Sequence, residues 1–132
     1  MFNVNRVTLL GNAVRDAEAH QTKSGRPVTT LDLGTSRSWT DADGNRQSAS
    51  EYHRLVCWGG LAGFAAERLR KGNPLYVEGR LHTSRWETPD GKDASRTEVV
   101  VDRLVLLGGK KTTDVEAAEA PAGDNDIEEI AA

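Results

Sequence analysis

The sequence predicts a small all-β domain, a closed barrel of five strands with one helix between the third strand and the fourth. Two observations carry this expectation. Residues 1–109 alternate β-rich runs with turns built from glycine, proline and aspartate. One stretch near the middle breaks that rhythm with helical rather than alternating spacing.

The first strand is expected over residues 4–13 (VNRVTLLGNA), where Gly11 marks a bulge or sharp bend of the kind small barrels need. A turn at 23–27 (KSGRP) leads to a second strand over 28–37, with Leu31, Leu33 and Thr35 on one side. Residues 40–50 (TDADGNRQSAS) read as a polar loop around Asp43 and Gly44. The third strand, 52–58, alternates clearly. Tyr52, Arg54, Val56 and Trp58 share one face, and His53, Leu55 and Cys57 share the other. Leu61, Phe64, Ala65 and Leu69 then fall on one helical stripe, with Arg68, Arg70 and Lys71 at its C-terminal end and Gly72 to stop it. A fourth strand over 74–86, a hairpin loop over 87–95 and a fifth strand over 96–107 complete the set.

Three strands, a helix and two more strands match the five-stranded Greek-key OB-fold, with its helix between strands three and four. Beyond residue 110 no periodicity of useful length remains, and the Ala-, Glu- and Asp-rich composition reads as a disordered tail. The division is therefore a domain over 1–109 and an acidic tail over 110–132.

Charge divides along the same line. The chain carries −3 overall, but the tail holds seven acids and two lysines, leaving 15 basic and 13 acidic residues before it. A mildly basic domain with an acidic tail fits nucleic-acid binding. It equally fits a solvated tail that only aids solubility. The lone cysteine excludes an internal disulfide framework, and no stretch approaches a membrane span. These features, with no signal-like apolar run at the start, lead to an expected cytoplasmic location.

Catalysis finds little support. The three histidines lack metal-ligand spacing, and neither a nucleophile elbow nor a phosphate-binding loop is present. No cofactor is expected. The aromatic residues are more informative. Trp39 ends the second strand, Tyr52 and Trp58 share a face of the third, and Trp86 ends the fourth. Arg37, Arg54 and Arg85 lie beside them. Flat rings interleaved with arginine suit single-stranded nucleic acid, because every base offers a π-face and cations track the backbone. The opposing reading is that the tryptophans are core, as large rings usually are. Leu55, Cys57, Leu75, Val77 and Leu81 could fill the interior without them.

Residues 4–108 resemble the bacterial single-stranded DNA-binding protein (SSB) family. The resemblance rests on VNRVTLLGN at 4–12, TSRSW at 35–39, EYHRLVCWGGLA at 51–62, ERLRKGNPLYVEGRL at 67–81 and TEVVV at 97–101. It implies a homotetramer that wraps single-stranded DNA during replication, recombination and repair. It places base stacking on Trp39, Tyr52, Trp58 and Trp86, backbone contacts on Arg54, Lys71 and Arg85, and a subunit interface at His53. Arg37 joins the set through its place beside Trp39. His82, Ser84 and Gly60 stand where the family tends to be more basic, so fewer phosphate contacts and a weaker salt dependence are expected. The family's acidic end docks replication and repair proteins. Here Asp124, Asp126, Ile127, Glu128 and Glu129 keep the acid and the isoleucine but lack the terminal Pro-Phe.

Overall fold

The computed structural model describes residues 1–108 and 116–119. Its elements are β1 (Val7–Ala13), β2 (Glu18–Gln21), β3 (Pro27–Thr40), β4 (Arg46–Trp58), α1 (Gly60–Arg68), β5 (Pro74–Glu87), β6 (Asp93–Leu106) and β7 (Glu116–Glu119). β1 pairs with both β3 and β5, so the order β1–β3–β4–β6–β5–β1 closes a five-stranded barrel. The β4–β6 pair is parallel and the other pairs are antiparallel. α1 lies between β4 and β5 in the chain, which makes the barrel an OB-fold.

Inward positions alternate as the pleat requires. Leu31 and Leu33 of β3, Leu55 and Cys57 of β4, Leu75 and Val77 of β5, and Val99, Val101 and Leu104 of β6 form one buried cluster. α1 closes it with Leu61 and Ala65, and Leu69 at the helix end is buried there too. The expected helical stripe is thus present. The helix stops at Arg68, because Leu69 turns to extended backbone, and Gly72 lies in the turn beyond it at φ 93°.

Two backbones approach closely at each of two glycines. A Cβ on Gly11 would collide with the Gly34 carbonyl where β1 passes β3. A Cβ on Gly79 would collide with the Val100 carbonyl at the β5 bulge, which falls between Glu78 and Gly79. The bend expected at Gly11 is a close backbone crossing, and the bulge sits on β5 instead.

Several boundaries differ from the sequence expectation. β1 begins at Val7, not residue 4. Just before it, the Asn5 side chain donates to the Leu81 carbonyl (2.8 Å) and accepts from the Leu81 N–H (2.9 Å), standing in for a strand residue. β2 was not anticipated. Its sequence, EAHQ, has no β-branched residue, and pairing with β3 imposes its conformation. The polar loop expected over 40–50 shrinks to a tight turn, because β4 starts at Arg46. The Asp41 carboxylate accepts from the N–H groups of Asn45 (2.8 Å) and Asp43 (3.0 Å) and from the Gln47 amide (3.0 Å). These bonds, Asn45 first, hold its carboxyl below the ordinary carboxylate range.

β7 falls within the stretch read as disordered tail. It pairs antiparallel with residues 103–106 of β6, and Ala118 packs against the barrel core. Asp124, Asp126, Ile127, Glu128 and Glu129 lie outside the described residues.

Candidate nucleic-acid interface

Two hairpins carry the aromatic residues. The β3–β4 and β5–β6 hairpins pair continuously from the barrel out to their tips, Thr40 with Arg46 and Glu87 with Asp93. Side-chain parity then assigns each ring to a surface. On β4, the residues facing away from the core are Tyr52, Arg54, Val56 and Trp58, as the sequence alternation indicates. Val56 registers with Val100 of the parallel neighbour β6. The same outer face continues along β6 through Glu98, Arg96 and Ala94, and crosses to Trp86, which pairs with Ala94. Tyr52, Arg54, Arg96 and Trp86 therefore belong to one continuous outer surface.

Exposure divides these rings. Tyr52 is 68% exposed, Trp86 42% and Trp39 38%. Trp58 is 6% exposed, which corrects its expected place as an open stacking platform. The reason is local packing. Trp58 pairs with Val28 across the β3–β4 ladder and forms a second apolar cluster with Val28, Val56 and Val100 on the outside of the sheet. The Arg26 guanidinium covers its ring, 4.8 Å from the centroid. Its indole N–H meets no acceptor among the described residues. Trp58 is thus buried, in the outer cluster and not in the barrel core, whereas Trp39 and Trp86 remain partly exposed.

The arginines also separate. Arg37 lies over Trp39, 4.6 Å from the ring centroid, so these two form a stacked pair. By parity they belong to the side of the β3–β4 ladder opposite Tyr52. Arg54 donates from Nε to Glu98 Oε2 at 2.7 Å, and Arg96 Nη1 lies 3.7 Å from the same oxygen. Arg85, expected beside Trp86, alternates to the opposite side of β5. Arg96 of the neighbouring strand covers Trp86 instead, 5.5 Å from its centroid. A shallow groove lined by Arg85, Trp86, Asp93, Ala94 and Ser95 runs past the end of this hairpin. Lys71 stands apart, exposed in the turn between α1 and β5, with its backbone N–H donating to Asp16 Oδ1 (2.8 Å).

Sequence reasoning missed Arg26, Arg96 and Glu98. A signal for the last two was present in strand alternation, since Arg96 and Glu98 share parity with Val100. The register that sets them against Trp86 and Arg54 requires both the hairpin pairing and the parallel β4–β6 contact. His53 points inward and is half-buried, sharing a hydrogen bond of 2.9 Å between its Nε2 and Thr35 Oγ1. No group of three or more His, Cys, Asp or Glu side chains able to hold a metal occurs among the described residues.

A five-stranded OB barrel with exposed rings and arginines along its extended hairpins defines a class of oligomer-binding domain. The family is shown by comparison. Residues 4–107 match the model of the single-strand binding protein family, and the chain belongs to that family. It is similar to a solved structure described as Plasmodium falciparum SSB in complex with ssDNA, with 27% identity and a TM-score of 0.72, covering 82% of this chain and 98% of that one. It is also similar to a deletion mutant of the single-stranded DNA binding protein from Thermus aquaticus, with 26% identity and a TM-score of 0.65. That match covers 80% of this chain and spans 57% of the Thermus chain.

Proposed function

We propose that this protein binds single-stranded DNA with little sequence preference, by base stacking and backbone neutralisation, and protects exposed strands during replication, recombination and repair. Within a family defined by single-strand binding, the observation that carries the reading is the exposure of Trp39, Tyr52 and Trp86 on the two hairpins, two of them under arginine. Stacking contributes about 1–3 kcal/mol per base and accepts any base. Arg37, Arg54, Lys71, Arg85 and Arg96 supply cations for phosphates. Trp58 supports this surface from the side, in the apolar cluster with Val28, Val56 and Val100 that continues the same outer face.

The working form is a homo-oligomer, a tetramer by resemblance, with His53 near a subunit boundary. Leu10, 62% exposed on β1 and registered with Tyr76 of β5, offers an apolar surface for such assembly. The acidic residues Asp124, Asp126, Glu128 and Glu129 with Ile127 serve as a docking end for replication and repair proteins. The protein acts in the cytoplasm, without catalysis and without a cofactor.

The test is intrinsic tryptophan fluorescence titrated with oligo-dT, oligo-rU and duplex DNA at two salt concentrations. Strong quenching by oligo-dT, a weak response to duplex, and loss of quenching in Trp39→Ala or Trp86→Ala support the reading. No quenching at low salt and high protein concentration overturns it.

A further inference from the structure

Glu98 is the most buried charged side chain on the outer face, 8% exposed, and it stands between two of that face's arginines. Its Oε2 accepts from Arg54 Nε at 2.7 Å and lies 3.7 Å from Arg96 Nη1. Arg96 in turn covers Trp86. On the third side, Glu98 registers with His82 of β5. One buried oxygen thus links the arginine beside Tyr52 to the arginine on Trp86, across three strands.

A carboxylate on a surface built for a polyanion is unfavourable by charge alone. Its attraction for phosphate is negative, and it competes for the donors that phosphate uses. It is also costly to desolvate. A compensating role is to fix geometry. An arginine that donates through Nε has its planar fork oriented, and its terminal Nη groups are then presented in a set direction. Arg54 is oriented by this bond, while Arg96, 3.7 Å away, is drawn in by charge; restraining both guanidiniums before DNA arrives removes an entropic cost from the binding step.

We infer that Glu98 is a positioning residue for DNA binding: it holds Arg54 and Arg96 as a phosphate-accepting pair on the same outer face as the Tyr52 and Trp86 rings. The inference rests on the proposed single-stranded DNA binding. The pair and its carboxylate keep a net positive charge, so a phosphate is still attracted.

The sign of one substitution separates positioning from charge. Glu98→Gln removes a negative charge and keeps size. If Glu98 only dilutes the positive field, the variant binds oligo-dT more tightly, and its log affinity falls more steeply with log salt, by about 0.7 for one further phosphate neutralised. Positioning gives the opposite, a weakening of about five- to tenfold at fixed salt with an unchanged or shallower slope. Glu98→Asp keeps the charge and retracts the carboxylate, so positioning predicts weakening there too, whereas charge alone predicts no change. In an Arg54→Ala, Arg96→Ala background, Glu98→Gln costs nothing further if it acts through those two side chains.

The titrations are run on the full chain, with thermal melting to verify that each variant is folded. If Glu98→Gln does not fold, Glu98→Asp carries the test. A folded variant that binds oligo-dT as tightly as wild type or more tightly overturns the inference. Failure of the wild-type chain to bind oligo-dT at all overturns the proposed function instead.

Discussion

The guanidinium of Arg96 lies over the indole of Trp86, 5.5 Å from the ring centroid, although the two residues sit on opposite strands of the β5–β6 hairpin. Strand register brings them together. Trp86 pairs with Ala94, and Arg96 is the next residue of the same parity along β6. The arginine adjacent in sequence, Arg85, is held on the other side of β5 by the pleat.

This contact gives a first expectation. Arg96→Ala removes both a proposed phosphate partner and the group that covers the Trp86 ring. A cation–π contact at an exposed site is worth about 0.5–1 kcal/mol, and one lost phosphate contact lowers the salt slope by about 0.7 on single strands. Binding to oligo-dT should weaken several-fold, and Trp86 quenching should fall. Arg85→Ala should lower the salt slope while leaving the quenching amplitude unchanged. Equal quenching amplitudes in the two variants would show that Arg96 does not organise the ring.

Trp58 leads to a different kind of prediction. It is buried against Val28, Val56 and Val100, so Trp58→Ala opens a gap in this outer-face cluster and strips Arg26 of its ring. Replacing a buried tryptophan by alanine costs about 3–5 kcal/mol. Trp86→Ala, at an exposed hairpin position, should stay within about 1 kcal/mol. Urea denaturation of the two variants checks this, and a Trp58→Ala protein as stable as Trp86→Ala would contradict the packing described.

The contrast between these tryptophans shows what the sequence could and could not convey. Alternation in β4 placed Tyr52, Arg54, Val56 and Trp58 on one face, and that placement is correct. Parity gives a face but not its cover. Whether Trp58 meets solvent depends on Val28, 30 positions earlier, and on Val100 of a strand that reaches β4 only by a parallel contact. The strand order and the helix position were legible because hydrophobic period and glycine punctuation are local signals. Residues 46–50 were read as loop for the converse reason. Both faces of that hairpin extension are largely solvated, so no apolar alternation marks it as strand. β7 was invisible because EAAE has little β propensity, and its conformation comes from pairing with β6.

β7 also bears on the acidic end of the chain. Ala118 packs on the core, and the Glu119 carboxylate lies 3.0 Å from Arg103 Nε. Removal of residues 110–132 therefore takes away a strand as well as charge. Deleting 121–132 alone removes four acids, Asp124, Asp126, Glu128 and Glu129, and spares β7. If the acids compete with DNA for the arginines, this shorter deletion tightens oligo-dT binding at low salt. The gain fades as the Debye length shrinks towards about 3 Å near 1 M salt. Identical affinities at low salt would remove the competition. The longer deletion should also lower the melting temperature, because it exposes the β6 edge.

Cys57 supplies a test of the barrel interior. It lies at an inward position of β4 between Leu55 and the helix, fully buried, and burial pushes its thiol from 9.0 up to about 12. Two consequences follow. The native thiol should resist alkylation at pH 8, whereas the urea-unfolded chain reacts as an ordinary cysteine, since the thiolate is the reacting species. Stability should also depend on alkaline pH with a definite sign. The folded value lies above the unfolded one, so the contribution is complete below pH 9 and is lost as pH rises towards 12. Across that window the unfolded state alone ionises, and stability falls by about 1.4 kcal/mol per pH unit from this group. Cys57→Ala should flatten that fall while leaving oligo-dT binding intact, because the thiol faces the core and not the outer surface. Denaturant titrations of both proteins between pH 8 and pH 11 measure the difference. Parallel curves would mean that the thiol is reached by water and that the barrel is open at this position.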